Sequence, residues 1–156
     1  MAARTPSQTI GPFFHLGLRW PGSGRVGSVE EGTPLVLTGR ITDGNGDPVD
    51  DALFETWQPS SIVRVETQEG GTFRIETTMP GGKTPSIDVS IFARGLLKPL
   101  KTRVYFSADA ARADPDLASI AGSPRLATLV AKPGSDNEYR WDVRLQGEGE
   151  TVFFAF

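Results

Sequence analysis

Leu35-Val36-Leu37-Thr38-Gly39-Arg40-Ile41, the turn Asp43-Gly44-Asn45-Gly46-Asp47-Pro48 and the run Ala52-Leu53-Phe54-Glu55-Thr56-Trp57 form one block. The first run reads as a strand, and the six turn residues are the densest turn signal in the chain. The run to Trp57 alternates and reads as the returning strand. In this block Gly39 permits a bend, Pro48 blunts an edge, and Trp57 is expected to fill the core.

Further segments on either side follow the same pattern. Ile62 to Val65 and Thr72 to Thr77 predict a hairpin across Glu69-Gly70-Gly71. Ile87-Asp88-Val89-Ser90-Ile91-Phe92 alternates almost strictly, which places Ile87, Val89 and Ile91 on one face. Leu100 to Phe106, Leu126 to Ala131, Tyr139 to Leu145 and Thr151 to Phe154 read as further strands. The one helical candidate, Asp109 to Ile120, is rich in alanine but contains Pro115, so it predicts short turns instead of a long helix. With 18 Gly and 12 Pro, and turn clusters every ~8–12 residues, the chain predicts an all-β sandwich or barrel. Its 156 residues make one domain, 1–156, with no internal repeat.

Composition narrows the function classes. Net charge is −3 and no basic run occurs, which argues against nucleic acid. No apolar stretch reaches the ~20 residues of a membrane span, and the start is too polar and proline-rich for a secretory signal. Cysteine is absent, so disulfides and thiolate sites are excluded, and a cytoplasmic location is expected. His15 is the only histidine, and Tyr105 and Tyr139 are the only tyrosines. A metal site built from this chain alone would therefore have few nitrogen or phenolate donors to draw on.

The N-terminal stretch Thr5-Pro6-Ser7-Gln8-Thr9-Ile10-Gly11-Pro12-Phe13-Phe14-His15 is unsuited to a helix. Pro6 and Pro12 each fix φ and push the preceding residue toward extended geometry. Ile10, Phe13 and Phe14 are too apolar for a solvated tail. Residues 1–20 therefore read as an extended arm that docks on something.

The turn block, the arm and Arg144-Leu145-Gln146-Gly147-Glu148-Gly149-Glu150-Thr151-Val152-Phe153-Phe154 together resemble the intradiol ring-cleaving dioxygenases. Trp57-Gln58, Ser90-Ile91-Phe92-Ala93-Arg94-Gly95, Thr102-Arg103-Val104-Tyr105-Phe106 and Leu129-Val130-Ala131-Lys132 extend the resemblance in the family's order along nearly the whole chain. Within the family the likeness is to the alpha chains of two-chain members. It implies an antiparallel β-sandwich with short irregular or helical connections and an extended N-terminal arm.

The resemblance also implies chemistry. Family enzymes hold Fe(III) with two tyrosinates and two histidines, and hard phenolate oxygens favour that ion. In two-chain members the iron sits in the beta chain, while the alpha chain closes part of the substrate pocket within a hetero-oligomer of αβ units. The implied reaction is O₂-dependent cleavage of 3,4-dihydroxybenzoate to 3-carboxy-cis,cis-muconate. Where a catalytic chain has Pro-His-x-His, this sequence reads Pro85-Ser86-Ile87-Asp88. The stretch after Trp57-Gln58 is cut short and contains no tyrosine, and Met79-Pro80-Gly81-Gly82-Lys83 lacks the second one. The chain is therefore expected to have no catalytic residue and no metal of its own, with Ser86 and Asp88 as vestigial positions and Fe(III) in the partner beta chain. Thr9, Gly11, Pro12 and Arg94 are the substrate-binding residues that the resemblance implies. A non-catalytic β-sandwich module of the transthyretin-like or carboxypeptidase-regulatory-like kind is the alternative, although such a module needs neither the arm nor the C-terminal block.

Overall fold

In β1 (Pro34–Thr42) the residues Leu35, Leu37 and Ile41 are fully buried and Gly39 shares their face, as alternation requires. The structure, a computed structural model, describes residues 6, 8–11, 17, 22–25, 32–59 and 61–155. The remaining strands are β2 (Leu53–Gln58), β3 (Ser61–Glu66), β4 (Thr72–Thr78), β5 (Ser86–Phe92), β6 (Leu100–Tyr105), β7 (Lys132–Pro133), β8 (Glu138–Arg140) and β9 (Val143–Arg144). They form two sheets, one ordered β4-β1-β8-β7 with β9 also on β1, the other β3-β2-β5-β6. The second sheet is antiparallel throughout, whereas β8 and β9 run parallel to β1.

The inward faces of the two sheets make the core. Phe54 of the second sheet meets Phe73 of the first with ring centroids 4.4 Å apart, and Leu37, Ile75, Ile87, Val89, Ile91 and Val104 surround them. Burial of this alternating set is the main stabilising term, and it fixes the register of each strand. Gly39 is required here for closeness, not for an unusual φ. A Cβ at that position would lie 1.8 Å from the carbonyl oxygen of Trp141 and 2.6 Å from the Phe73 ring.

A second, smaller cluster lies outside β6. It packs Tyr105 of β6 against Ala111, Leu117 and Leu129, which lie on α1 (Ala108–Ala113) and two 3₁₀ segments, Pro115–Ile120 and Pro124–Leu129. Pro115 does divide the helical stretch into short turns. Ser107 caps α1 by accepting from the Ala110 N–H, and Asp114 caps the next turn by accepting from the Asp116 N–H.

Four expectations are corrected. First, β3 and β4 are not a hairpin. β3 pairs with β2 and β4 with β1, so Glu69–Gly71 carries the chain from one sheet to the other. Gly71 makes this possible with φ +70°, donating its N–H to Gln68 O and to the Asp50 carboxylate. Second, residues 126–129 are 3₁₀-helical, not extended, because Pro124 occupies the first turn and Ser123 caps it through the Arg125 N–H. Third, Trp57 does not fill the core. Its side chain points to the outer face and is 45% exposed. Fourth, the expected strand at 151–154 reduces to a single bridge between Phe154 and Lys101. In the arm, residues 6 and 8–11 carry no regular structure, while Gly17 is helical. Among the described residues no helix is long and apolar enough to cross a membrane.

Candidate functional site

The arm and Arg94 meet at one end of β5. The Thr9 hydroxyl donates to the carbonyl of Ala93 at 3.3 Å and accepts from the N–H of Gly95 at 2.9 Å. One side chain thus clamps both residues that flank Arg94, and it fixes the arm to the β5–β6 turn. Beside the clamp, Gln8, Ile10, Phe92, Leu96 and Lys98 line a cavity of about 290 Å³. Gly11 is exposed, and no atom would meet a Cβ placed on it, so its backbone lies open to an approaching group. Pro12 falls outside the described residues, as do His15, Phe13, Phe14, Trp20 and Phe156.

Arg94 leaves the strand end as the sequence predicts and is exposed. Its Nε donates to the Asp51 carboxylate, an ion pair that sets the direction of the guanidinium and leaves the terminal nitrogens available. Asp51 was not anticipated. It follows the turn block directly, but only the fold brings it beneath the β5–β6 turn.

Ser86 and Asp88 lie toward the opposite end of β5, which runs on to Phe92 before the turn that carries Arg94. They do share one face, the outer one. On that face Arg103 stands opposite Asp88 in the β5–β6 register. Arg103 donates to Asp88 at 2.7 Å, to Asp114 at 2.8 Å, to Asp116 at 3.4 Å and to the Tyr105 hydroxyl at 3.3 Å. Tyr105 in turn donates to Asp114 at 2.6 Å. Burial alone would lower the affinity of Arg103 for its proton, but the hydrogen bonds and charge of its partners outweigh this and raise its pKa. Burial, reinforced by the Asp114 bond, pushes the Tyr105 phenol well above the usual tyrosine range. Burial would raise the Asp114 carboxyl, yet the bonds from Tyr105 and the Asp116 N–H and the charge of Arg103 together hold it below the usual carboxylate range.

This donor set does not fit ferric iron. Ser86 offers a neutral hydroxyl, the Asp88 carboxylate is engaged by a guanidinium, and Tyr105 is held protonated by Asp114. Among the described residues no three His, Asp or Glu side chains converge as a metal site. The sequence reading missed Arg103, Asp114 and Asp116 as a group. Alternation does place Arg103 and Tyr105 on one face, and Asp114-Pro115 is a cap signal, but their convergence depends on the fold.

Two curated proteins align with almost the entire chain. The protocatechuate 3,4-dioxygenase alpha chain of Pseudomonas putida is 35% identical over 194 residues, covering 97% of this chain and 96% of its own. That of Burkholderia cepacia is 37% identical over 191 residues with the same coverage. This chain belongs to the intradiol dioxygenase family. Both alignments exceed its 156 residues, so these relatives carry segments that it lacks. No family model matches the chain. Among solved structures, the dioxygenase domain of a carbohydrate-binding fusion protein from Streptomyces sp. SirexAA-E superposes with a TM-score of 0.60 at 24% identity, covering 93% of this chain and 99% of that one. Catechol 1,2-dioxygenase from Acinetobacter sp. ADP1 gives 0.54 at 20% identity, over 79% of this chain and 56% of its own. These two share the intradiol dioxygenase β-sandwich with this chain.

Proposed function

We propose that this chain is the alpha subunit of a protocatechuate 3,4-dioxygenase. In this reading it completes the pocket of a protocatechuate 3,4-dioxygenase beta chain, which supplies Fe(III) and the ring-cleaving chemistry. The observation that carries the reading is the separation of the two ends of β5. The arm is fixed to the turn that carries Arg94 at one end, while the family's metal positions, Ser86 and Asp88, lie toward the other, where Arg103 engages Asp88. The described part of the arm, held by Thr9, lies away from the chain's own vestigial positions, which supports a role at a partner's site.

The proposal gives each residue a role. The Thr9 clamp holds the arm, the open backbone at Gly11 can approach an aromatic ring closely, and Pro12 stiffens that backbone. Arg94, oriented by Asp51, presents its terminal nitrogens to the carboxylate of 3,4-dihydroxybenzoate. These contacts bind and orient the substrate, whereas no proton or electron transfer is assigned to this chain. The single domain 1–156 with its 1–20 arm is part of the same proposal. Purified alone, the chain should be colourless and inactive, and co-expressed with its beta chain it should co-purify as a coloured, O₂-consuming complex. A coloured, active homo-oligomer would overturn the assignment.

A further inference from the structure

The turn from β1 to β2 is organised around Asp43. Its carboxylate accepts from the Asn45 N–H at 2.8 Å and from the Asp47 N–H at 3.0 Å, and its own N–H donates to the Asp47 carbonyl at 2.9 Å. These bonds fix the two sides of the turn and leave its tip, Asn45-Gly46, exposed. The Asn45 backbone is engaged, but among the described residues nothing holds its side-chain amide. Gly46 donates only a long bond, 3.3 Å, to the Asp43 carbonyl, and no atom lies within 4 Å of where its Cβ would be. A free carboxamide therefore stands next to a loosely held backbone nitrogen with no side chain to shield it.

The chain has one other asparagine, Asn137, and there the arrangement is the reverse. The nitrogen that follows it, that of Glu138, donates to the Ser135 carbonyl at 2.9 Å, begins β8 and carries a side chain. Asp43 also precedes a glycine, but its carboxylate is occupied by two N–H groups.

We infer that Asn45 is a site of spontaneous covalent modification, where its amide is converted to aspartate and isoaspartate without an enzyme. Hydroxide removes the Gly46 amide proton, and the nitrogen bonds to the Asn45 side-chain carbonyl carbon. The bond from that carbon to the amide nitrogen breaks, and the nitrogen leaves as ammonia with a proton from water, which regenerates hydroxide. Water then opens the cyclic imide at either carbonyl. The sum is amide plus water giving carboxylic acid plus ammonia, with no oxidant or reductant. Opening at one carbonyl leaves aspartate. Opening at the other routes the main chain through the former side chain and adds a methylene to the turn. That added length falls between Asp43 and Asp47 and beside Gly44, whose carbonyl accepts from Arg144 at 2.7 Å. The inference does not depend on the subunit assignment.

The full chain, purified alone, is incubated at body temperature in neutral and in mildly alkaline buffer and sampled over several weeks by anion exchange and peptide mapping. A species one negative charge beyond the formal −3 should accumulate, with its mass gain confined to residue 45. Its rate should rise in proportion to hydroxide, and part of it should resist an endoprotease that cuts before aspartate, as isoaspartate does. Asn45→Gln, whose longer side chain closes a ring far less readily, should remove the species. An Asn45 still intact at the end of the incubation would overturn the inference, as would equal modification of Asn137. Should Asn45→Gln fail to fold, the comparison of Asn45 with Asn137 in the unaltered chain still decides.

Discussion

Arg94, in the β5–β6 turn, and Arg103, on β6, border the same sheet, yet their partners give them opposite uses. Arg94 has a single carboxylate at its Nε and an open guanidinium tip. Arg103 is surrounded by three carboxylates and a phenol. In the assembled enzyme, Arg94→Ala should raise KM about tenfold for an anionic catechol and much less for an uncharged one, as the loss of a charged hydrogen bond predicts. Equal effects on both substrates would contradict its proposed role. The Asp114 carboxyl carries a pH prediction. Its folded pKa lies below its unfolded value, so the stability it contributes is present above the usual carboxylate range and is lost as pH falls through the folded value. Tyr105→Phe should cost about 1–3 kcal/mol by urea unfolding at neutral pH and should bring the acid-limb loss to higher pH. An unchanged acid limb would remove Tyr105 from the set of groups that depress Asp114. Gly39→Ala should cost about 3 kcal/mol or more, because its Cβ would meet backbone as well as the Phe73 ring. Gly39 is legible in sequence as an interruption of a strand, but its reason, contact with the Trp141 carbonyl, spans 102 positions and is not.

Among the elements, those with strict alternation were the readable ones. Ile87, Val89 and Ile91 are buried as their spacing requires, and Pro115 ends α1 as proline chemistry requires. Elements defined by pairing were less readable. β3 and β4 are adjacent in sequence and joined by a glycine turn, which is also how a hairpin looks, and only the partners β2 and β1 show that they belong to different sheets. Leu126 to Ala131 has strand-like composition, yet Ser123-Pro124 supplies a cap and a first helical turn, and this local geometry outweighs propensity. Trp57 failed as a core residue because the short β2–β3 connection leaves its outer face bare. Ser107→Ala tests the capping argument at this scale. It should lower stability by about 1 kcal/mol through loss of the bond to the Ala110 N–H, and a change within experimental error would show that tertiary packing alone holds α1.

For the whole molecule, the proposal makes the chain half of an enzyme and not an independent one. The absence of ligand residues at Ser86 and Asp88 is legible in sequence, but the positions of the arm and of Arg94 are not, because the Thr9 contacts link residues more than 80 positions apart. The central claim is that the arm completes a partner's pocket. The direct measurement is oxygen uptake with 3,4-dihydroxybenzoate by the complex with the beta chain, comparing the full chain with one lacking residues 1–11. The account predicts that the shortened chain still assembles with an iron-bearing partner but loses most of kcat/KM. Unchanged kcat/KM in that complex would contradict it.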